Sequence, residues 1–596
     1  MSAAPTVSIV IATYNRREAL AATLPSVLGQ DFPRDRYEVV VVVDGSTDGT
    51  AEYLRSLEGT APLRFIEQPN RGQFRALNRA LDVARGEIVL FLDDDILCEP
   101  GLLREHVAAH EGGGALLVFG PILLDPRSPA SLVTDWVASY TDKLMAEVGR
   151  GAHNRWPPWI AAHPNTSVRR AMLLECGGFD ESFERTAGDV EFGLRIRNRG
   201  VKPCYRHGAV AYHLYVKPAE DVIYKDAESF GRNELRLCRK HPDYRPDSPL
   251  ALVGDGPWLK RVFRNVAIRT PISPEPMLRL PFQIAERMRS IAPMRNIGIR
   301  LLEYRKSTLM YRSALGAAGS WGALKSEFGM RVPVLCYHHV GPPKEPGTFP
   351  DLTVTPERFE SQIRWLKSNG YTGIRPLDWL AWRREGKPLA KKPVVITFDD
   401  GYADVARYAL PVLEREGFSA AVYVVTARIG DANRWDQAAG SAPHPLRDAA
   451  LLKAEQIRFW AARGIEFGSH TRTHPDLTAI TTRQLEDELK GSAQDLQELL
   501  GAPPVSFAYP YGCYNDAVRE QVKRVFDLAY TCEGEMNTLK TESSALGRTV
   551  MQSTDSLADL RWRVTIGSRI IDKLRRRVRL RTRLKAILRR MTETGA

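Results

Sequence analysis

Two uninterrupted apolar runs, each ending in adjacent carboxylates, constrain this chain more than any other feature. "GEIVLFL" (86–92) leads into Asp93, Asp94 and Asp95, and "PVVITF" (393–398) leads into Asp399 and Asp400. A strand with one wet face alternates polar and apolar residues, whereas a fully apolar run is covered on both faces. That pattern belongs to a parallel sheet with helices on either side. Asp is common in surface turns, and a solvated turn is the plain alternative for each cluster. In parallel α/β sheets, however, functional side chains gather at the carboxyl ends of the strands.

The surrounding text follows the same pattern. "VSIVIATY", "REALAATLPSVLGQ" and "YEVVVVVD" alternate strand and helix, as do "VPVLCYHHV", "ARYALPVLEREG", "SAAVYVVT" and "IEFGSH". With 596 residues the chain exceeds what one core supports. The predicted division is 1–245 and 331–560 as two α/β domains, with 246–330 as a helical connector and 561–596 as a basic tail. Seven scattered cysteines with no CxxC make a poor disulfide framework and favour a reducing compartment. The N-terminus has no basic segment before its apolar run, and no apolar stretch reaches the roughly 18 residues of a membrane span. A cytoplasmic protein is expected.

Residues 561–590 hold thirteen Lys or Arg against one acid, Asp572, and so account for the whole net charge of +12. The near-neutral remainder argues against a general nucleic-acid binder. Within the tail, Ile570, Leu574, Val578, Leu584 and Leu588 fall near one helical face. This suits a helix lying on the inner face of an anionic membrane, with a solvated charged face or RNA contact as the competing readings.

In the first α/β segment, polar residues follow each strand: Thr13 to Asn15, Asp44 to Asp48, then "FLDDDI" and "GGFDESFERTAGDVEFGLR". Transfer of a sugar from a nucleotide diphosphate needs such a set, because charge builds on the departing diphosphate and a hard divalent cation offsets it. Asp93 and Asp95, at alternate positions, can share that cation, and Asp189 is the candidate base for the acceptor hydroxyl. His213 in "AYHLY" is either a further metal ligand or a packed histidine. Trp156 and Trp159 are either acceptor-site walls or core.

Over residues 7–215, "TYNR", "VVDGSTDGT", "FLDDD" and "GGFDE" resemble the family 2 glycosyltransferases, with the GT-A fold. The resemblance implies an inverting transferase that uses a nucleotide-diphospho-sugar and Mg²⁺ or Mn²⁺. By position it puts Thr13, Asn15, Asp44, Arg71 and Asp94 on the nucleotide-sugar, Asp93 and Asp95 on the metal, and Asp189 as the base. Three positions depart from the pattern: Gly188 for the usual Glu, Val43 for Asp, and Leu77 for Arg.

In the second segment, "EFGSHTRTHPDL" supplies His470 and His474, four residues apart. A carboxylate with two imidazoles makes an open metal site, and a second carboxylate can act as base toward its water. "TFDDGY", "SHTRTHP" and "FAYPYG" resemble, in that order, the NodB-homology polysaccharide deacetylases, over about 332–560. The resemblance implies a distorted β/α barrel that removes acetyl groups from N-acetylated sugars with Zn²⁺ or another divalent metal. Asp399 would be the base, Asp400, His470 and His474 the ligands, and a backbone N–H near Tyr511 an oxyanion donor. Ala508 stands where the family has Arg, and 546–556 lacks the family's late His, so either another His supplies that proton or the acid step differs. His338 and His339 are near in sequence to the first strand of this segment, with a structural role as the alternative.

The combined reading is a bifunctional enzyme of surface polysaccharide synthesis, with UDP-N-acetylglucosamine as the expected donor and an N-acetylated glycan or lipid-linked sugar as partner. The alternative is an active transferase joined to a degenerate, carbohydrate-binding domain.

Overall fold

The computed structural model describes residues 5–59, 62–149, 164–183, 185–270, 275–342, 352–435 and 448–567. Trp156, Trp159 and the apolar positions 570–588 of the tail lie outside the described residues. The chain forms two compact units, Met1–His241 with Val262–Trp321, and Pro242–Arg261 with Gly322–Ala596. The segment expected as a connector is helical, with Trp258–Arg269, Glu275–Arg287, Ala292–Ala318 and Trp321–Phe328. It is no separate body, because its residues are divided between the two units.

In the first unit a seven-stranded sheet runs in the order Leu63–Gln68, Tyr37–Asp44, Val7–Thr13, Ile88–Leu92, Asn165–Arg169, Leu116–Phe119, Lys202–Tyr205. The first four are parallel, Val7 facing both Tyr37 and Ile88, and Asn165–Arg169 enters antiparallel. Every residue of Tyr37–Asp44 and Ile88–Leu92 is buried, which is why neither run alternates. Helix Gln73–Val83 covers one face with Phe74, Leu77 and Leu81, spaced as one helical stripe. This parallel arrangement brings Thr13, Asp44 and Asp93 to one sheet edge. A small sheet of Ile96–Cys98, Ala211–His213 and Ile122–Leu124 then lays His213 opposite Ile96.

The second unit holds an eight-stranded sheet in which every pairing is parallel. Pro393–Phe398 pairs with Val334–Tyr337, Thr372–Ile374 and Ala421–Val424. Glu466–Ser469, Ser506–Ala508 and Leu528–Tyr530 extend one side, and Thr549–Val550 ends the other. The curled sheet with its outer helices is the distorted β/α barrel that the strand spacing predicts. Among the described residues no helix is long and apolar enough to cross a membrane.

Helices Ala227–Lys240 and Ala292–Ala318 pack closely because Gly231 presents no side chain: a Cβ there would lie 2.1 Å from the Met310 carbonyl oxygen. Gly316, near the end of the longer helix, has nothing within 4 Å of such a Cβ. Gly231→Ala is expected to destabilise this unit by about 1–3 kcal/mol through overpacking. Gly316→Ala is expected to stabilise it by about 0.4–1 kcal/mol. Opposite shifts of the thermal transition check the pair.

Candidate functional site

At the carboxyl edge of the first sheet, Thr13 Oγ1 donates to Asp94 Oδ2 at 2.7 Å, and Arg16 Nε meets Asp94 Oδ1 at 3.0 Å. Arg16 also ion-pairs with Asp95, whose Oδ2 lies 3.3 Å from His213 Nε2. Helix Arg17–Leu28 fixes the backbone here, Thr23 Oγ1 donating to the Asp94 carbonyl at 2.7 Å. Burial and then repulsion from Asp95 and Asp94 push Asp93 up to about 7. Burial pushes Asp94 up to about 6 against the pull of Arg16. Burial opposes the charge on Asp95 as well, but His213 and Arg16 hold its carboxyl below the usual range. His213 is therefore bonded to the carboxylate edge rather than merely packed, and against the pull of burial the Asp95 contact raises its pKa above the usual value. Asp95 Oδ1 is buried with no hydrogen-bond partner among the described residues. An orphaned carboxylate oxygen beside Asp93 fits a divalent cation.

These groups line a cleft of about 520 Å³ that also includes Asp44, Arg185 and Lys217. Asp44 spends its oxygens locally, accepting from Gln68 Nε2 at 2.7 Å, Arg71 N at 2.9 Å and Gly72 N at 2.8 Å. It thereby shapes the 70–72 turn that borders the cleft. Asn15 ties two loops together, its Oδ1 accepting from Thr47 N at 2.7 Å. Asn15, Arg71 and Asp189 are not among the lining residues, whereas the cations Arg16, Arg185 and Lys217 are. Asp189 starts helix Gly188–Asn198, and burial pushes its carboxyl up to about 6. Glu191, two residues on, is fully buried and paired with Arg195, Lys240 and His241, so it holds the helix in place. The Glu that the glycosyltransferase pattern has at 188 cannot fit: a Cβ there would stand 2.5 Å from the Phe74 ring.

At the carboxyl edge of the second sheet, Asp400 Oδ1 lies 3.5 Å from His470 Nε2 and 3.4 Å from His474 Nε2. One ligand atom from each of the three falls within 4.8 Å of the others. His470 Nδ1 lies 2.8 Å from the Ala508 carbonyl oxygen, which can only accept. Nδ1 therefore carries the proton, and Nε2 presents a lone pair toward Asp400. The two imidazoles do not share a helical turn. They converge through a loop in which Thr471 and His474 both take positive φ, pinned by His474 N donating to Thr471 Oγ1 at 2.9 Å. Tyr511, at φ 58°, sets its ring 4.7 Å from that of His474. This donor set fits a divalent metal.

Asp399 is committed differently. Arg548 grips it with two hydrogen bonds, Nη1 to Oδ1 at 2.5 Å and Nη2 to Oδ2 at 2.7 Å, both side chains buried. Despite burial, that guanidinium holds the Asp399 carboxyl far below the usual range. Cys336, His338 and Asp399 also bring ligand atoms within 4.8 Å of one another, but Arg548 already neutralises Asp399 there. His338 therefore stands beside Asp399 as a neutral imidazole, burial pushing it down to about 4. His339 turns away to Asp404, Nδ1 to Oδ2 at 2.6 Å, with its ring 3.6 Å from Tyr402.

Residues 8–173 match the family model for glycosyl transferase family 2, and residues 386–526 match that for polysaccharide deacetylase. The chain joins a family 2 glycosyltransferase domain to a polysaccharide deacetylase domain. YxkH of Bacillus subtilis (strain 168), named as a polysaccharide deacetylase, is 27% identical over 211 residues, covering 35% of this chain and 67% of that protein. Validoxylamine A glucosyltransferase of Streptomyces hygroscopicus subsp. jinggangensis (strain 5008) is 29% identical over 276 residues, covering 42% of this chain and 65% of that protein. The chain thus spans about two thirds of the length of these curated relatives. The solved structure of BC0361, a polysaccharide deacetylase from Bacillus cereus, is 26% identical, with 40% of this chain and 69% of that chain covered and a TM-score of 0.33.

The residue that sequence reasoning missed in the deacetylase domain is Arg548. The family's third motif lacks its arginine at Ala508, and the guanidinium arrives instead from "LGRTV" (546–550), between the rings of Tyr423 and Tyr530. The sequence signal was slight, one arginine in a short uncharged stretch. Removing one partner leaves the other buried and unpaired, so Arg548→Met and Asp399→Leu should each destabilise this unit by about 3–5 kcal/mol. The double variant should recover most of that loss in urea unfolding. Additive losses would show that the two are not energetically coupled.

Proposed function

We propose that the N-terminal domain transfers a sugar from a nucleotide-diphospho-sugar with inversion, and that the C-terminal domain hydrolyses the acetamide of an N-acetylated glycan. The observation that carries this reading is the convergence of Asp400, His470 and His474 in the segment matched to the deacetylases. It is seconded by the cleft around Asp93 to Asp95 in the segment matched to the transferases.

In the transferase, Asp93 and Asp95 hold Mg²⁺ or Mn²⁺, which bound there would offset charge on the departing diphosphate. Arg16, Arg185 and Lys217 line the same cleft, Arg185 and Lys217 both paired with Asp226, and offer cationic donors to the diphosphate. Thr13, Asp44 and Asp94 shape the nucleotide end, Thr13 and Arg16 holding Asp94 in place. Asp189 accepts the acceptor hydroxyl's proton as that oxygen attacks the anomeric carbon from the face opposite the diphosphate, which inverts the configuration. In the deacetylase, Asp400, His470 and His474 would hold Zn²⁺ or another divalent ion, which when bound would supply Lewis-acid polarisation of the amide carbonyl and a more acidic water. Asp399, kept ionised and oriented by Arg548, accepts the water's proton through a lone pair that the guanidinium leaves free. A backbone N–H at the Tyr511 turn faces the developing oxyanion.

UDP-N-acetylglucosamine is the proposed donor, because its transfer supplies the acetamido group that the second domain removes. Nucleotide sugars place the reaction on the cytoplasmic side. The second reading, a carbohydrate-binding deacetylase-like domain without turnover, is favoured by the absence of a histidine from 546–556.

Nucleotide release from a panel of nucleotide sugars, followed by acetate release from the product, tests both halves. Asp95→Asn should lower transfer at least ~100-fold and spare deacetylation, and Asp400→Asn should do the reverse. Loss of neither activity in its own variant refutes the assignment. With Asp189 at about 6, transfer should fall about tenfold per pH unit below that value, because the base must be ionised. A profile flat between pH 5 and 7, on the order of one unit either side, would exclude Asp189 as the base.

A further inference from the structure

Helices Trp258–Arg269 and Glu275–Arg287 bury one face and leave large apolar side chains on the other. Ala267, Ile268, Phe282 and Ala285 are buried, and Phe282 and Ala285 pack with Leu132, Val222 and Leu302. On the outer face Phe263 is 67%, Met277 78% and Leu280 64% exposed. On helix Glu275–Arg287, Met277, Leu280 and Ile284 follow one another at three- and four-residue steps and share one stripe, and the exposed Met288 and Ile291 follow in the turn after it. Isolated exposed apolar residues are ordinary, but a continuous stripe of this size marks a contact surface.

The charges beside the stripe identify what it meets. Residues 262–300 contain seven arginines, at 264, 269, 279, 287, 289, 295 and 300, and two acids, Glu275 and Glu286. Glu275 is buried against Arg305, while Arg279 pairs with Glu220 at 3.5 Å and Arg289 with Asp135 at 3.6 Å, so the charge left to the surface is that of arginines such as Arg287, Arg295 and Arg300. Nucleic acid would satisfy the arginines and leave the apolar stripe in water. A second copy packed on the same face would bring its own arginines against these. An anionic phospholipid bilayer satisfies both, since acyl chains receive the stripe and phosphates receive the guanidinium groups.

We propose that this face, formed by residues 262–269 and 275–297, seats the transferase domain on an anionic phospholipid surface. The contact is independent of the basic tail and of the catalytic assignments above.

The test is sedimentation of the full chain with vesicles of phosphatidylcholine and phosphatidylglycerol, against phosphatidylcholine alone. Leu280→Ser/Ile284→Ser changes two exposed side chains and no charge. Its partition coefficient should fall at least ~10-fold, with the thermal transition unmoved. Arg287→Gln/Arg295→Gln should lower binding by about fivefold per arginine and weaken its dependence on salt. Unchanged binding by both variants overturns the proposal and assigns any membrane contact to another segment. Equal binding to neutral vesicles overturns it. So does a wild-type dimer that the serine variant converts to monomer, which would make the stripe a protein interface.

Discussion

The ion pair between Arg548 and Asp399 is the contact on which the second sheet's interior depends. Both side chains are within 4% of complete burial, a place where a lone carboxylate would give up its charge. The guanidinium reverses that outcome and fixes the carboxylate plane with two hydrogen bonds. Its Nε also donates to the Thr531 carbonyl at 3.2 Å, which joins the strand-end region to the base of the site. With Asp399 satisfied in this way, the neighbouring Asp400 is left to face His470 and His474.

The first sheet meets the same problem with a weaker solution. Three consecutive carboxylates share Arg16 and His213, and the arithmetic leaves one negative charge uncompensated even with both cations charged. Asp93 carries the consequence, its carboxyl raised by burial and by its neighbours. The two edges therefore differ in what they lack. The barrel edge is locally neutral around Asp399 and offers a shaped donor set at Asp400, while the transferase edge keeps an unsatisfied anionic pocket with cations along its rim.

Much of this was legible in the order of residues, and the reasons are physical. Apolar runs such as Val39–Val43 and Pro393–Phe398 suit doubly covered strands, and a parallel sheet then places Asp93, Asp399 and Asp400 at its carboxyl edge. Arg548 was not legible because its partner is 149 residues away and chain spacing says nothing of such a contact. The placement of Arg16, Arg185 and Lys217 in the cleft, and of Arg71 outside its lining, depends on loop conformation rather than periodicity. Asn15, Arg185, Ala187, Asp400, Thr471, His474 and Tyr511 all take positive φ without being glycine. Such backbone is held by the surrounding fold at some energetic cost, and no propensity rule predicts it. The four-residue spacing of His470 and His474 likewise says nothing of the positive-φ loop through which they converge.

The donor chemistry of the two edges also separates the metals they would take on the proposed reading. Asp93 and Asp95 offer only oxygen, and a diphosphate adds more oxygen, which suits a hard ion that keeps part of its hydration. Asp400 with two imidazoles offers a mixed set, which suits ions higher in the divalent affinity series. The Ala508 carbonyl reinforces that preference, because by holding the His470 Nδ1 proton it raises the donor strength of Nε2. At the other edge Arg16 and His213 draw on the Asp95 carboxylate and weaken it as a donor, so its affinity would depend more on the substrate's phosphates than on the protein. On that reading the transferase edge would gain its cation together with the nucleotide-sugar, and the deacetylase edge would hold one beforehand.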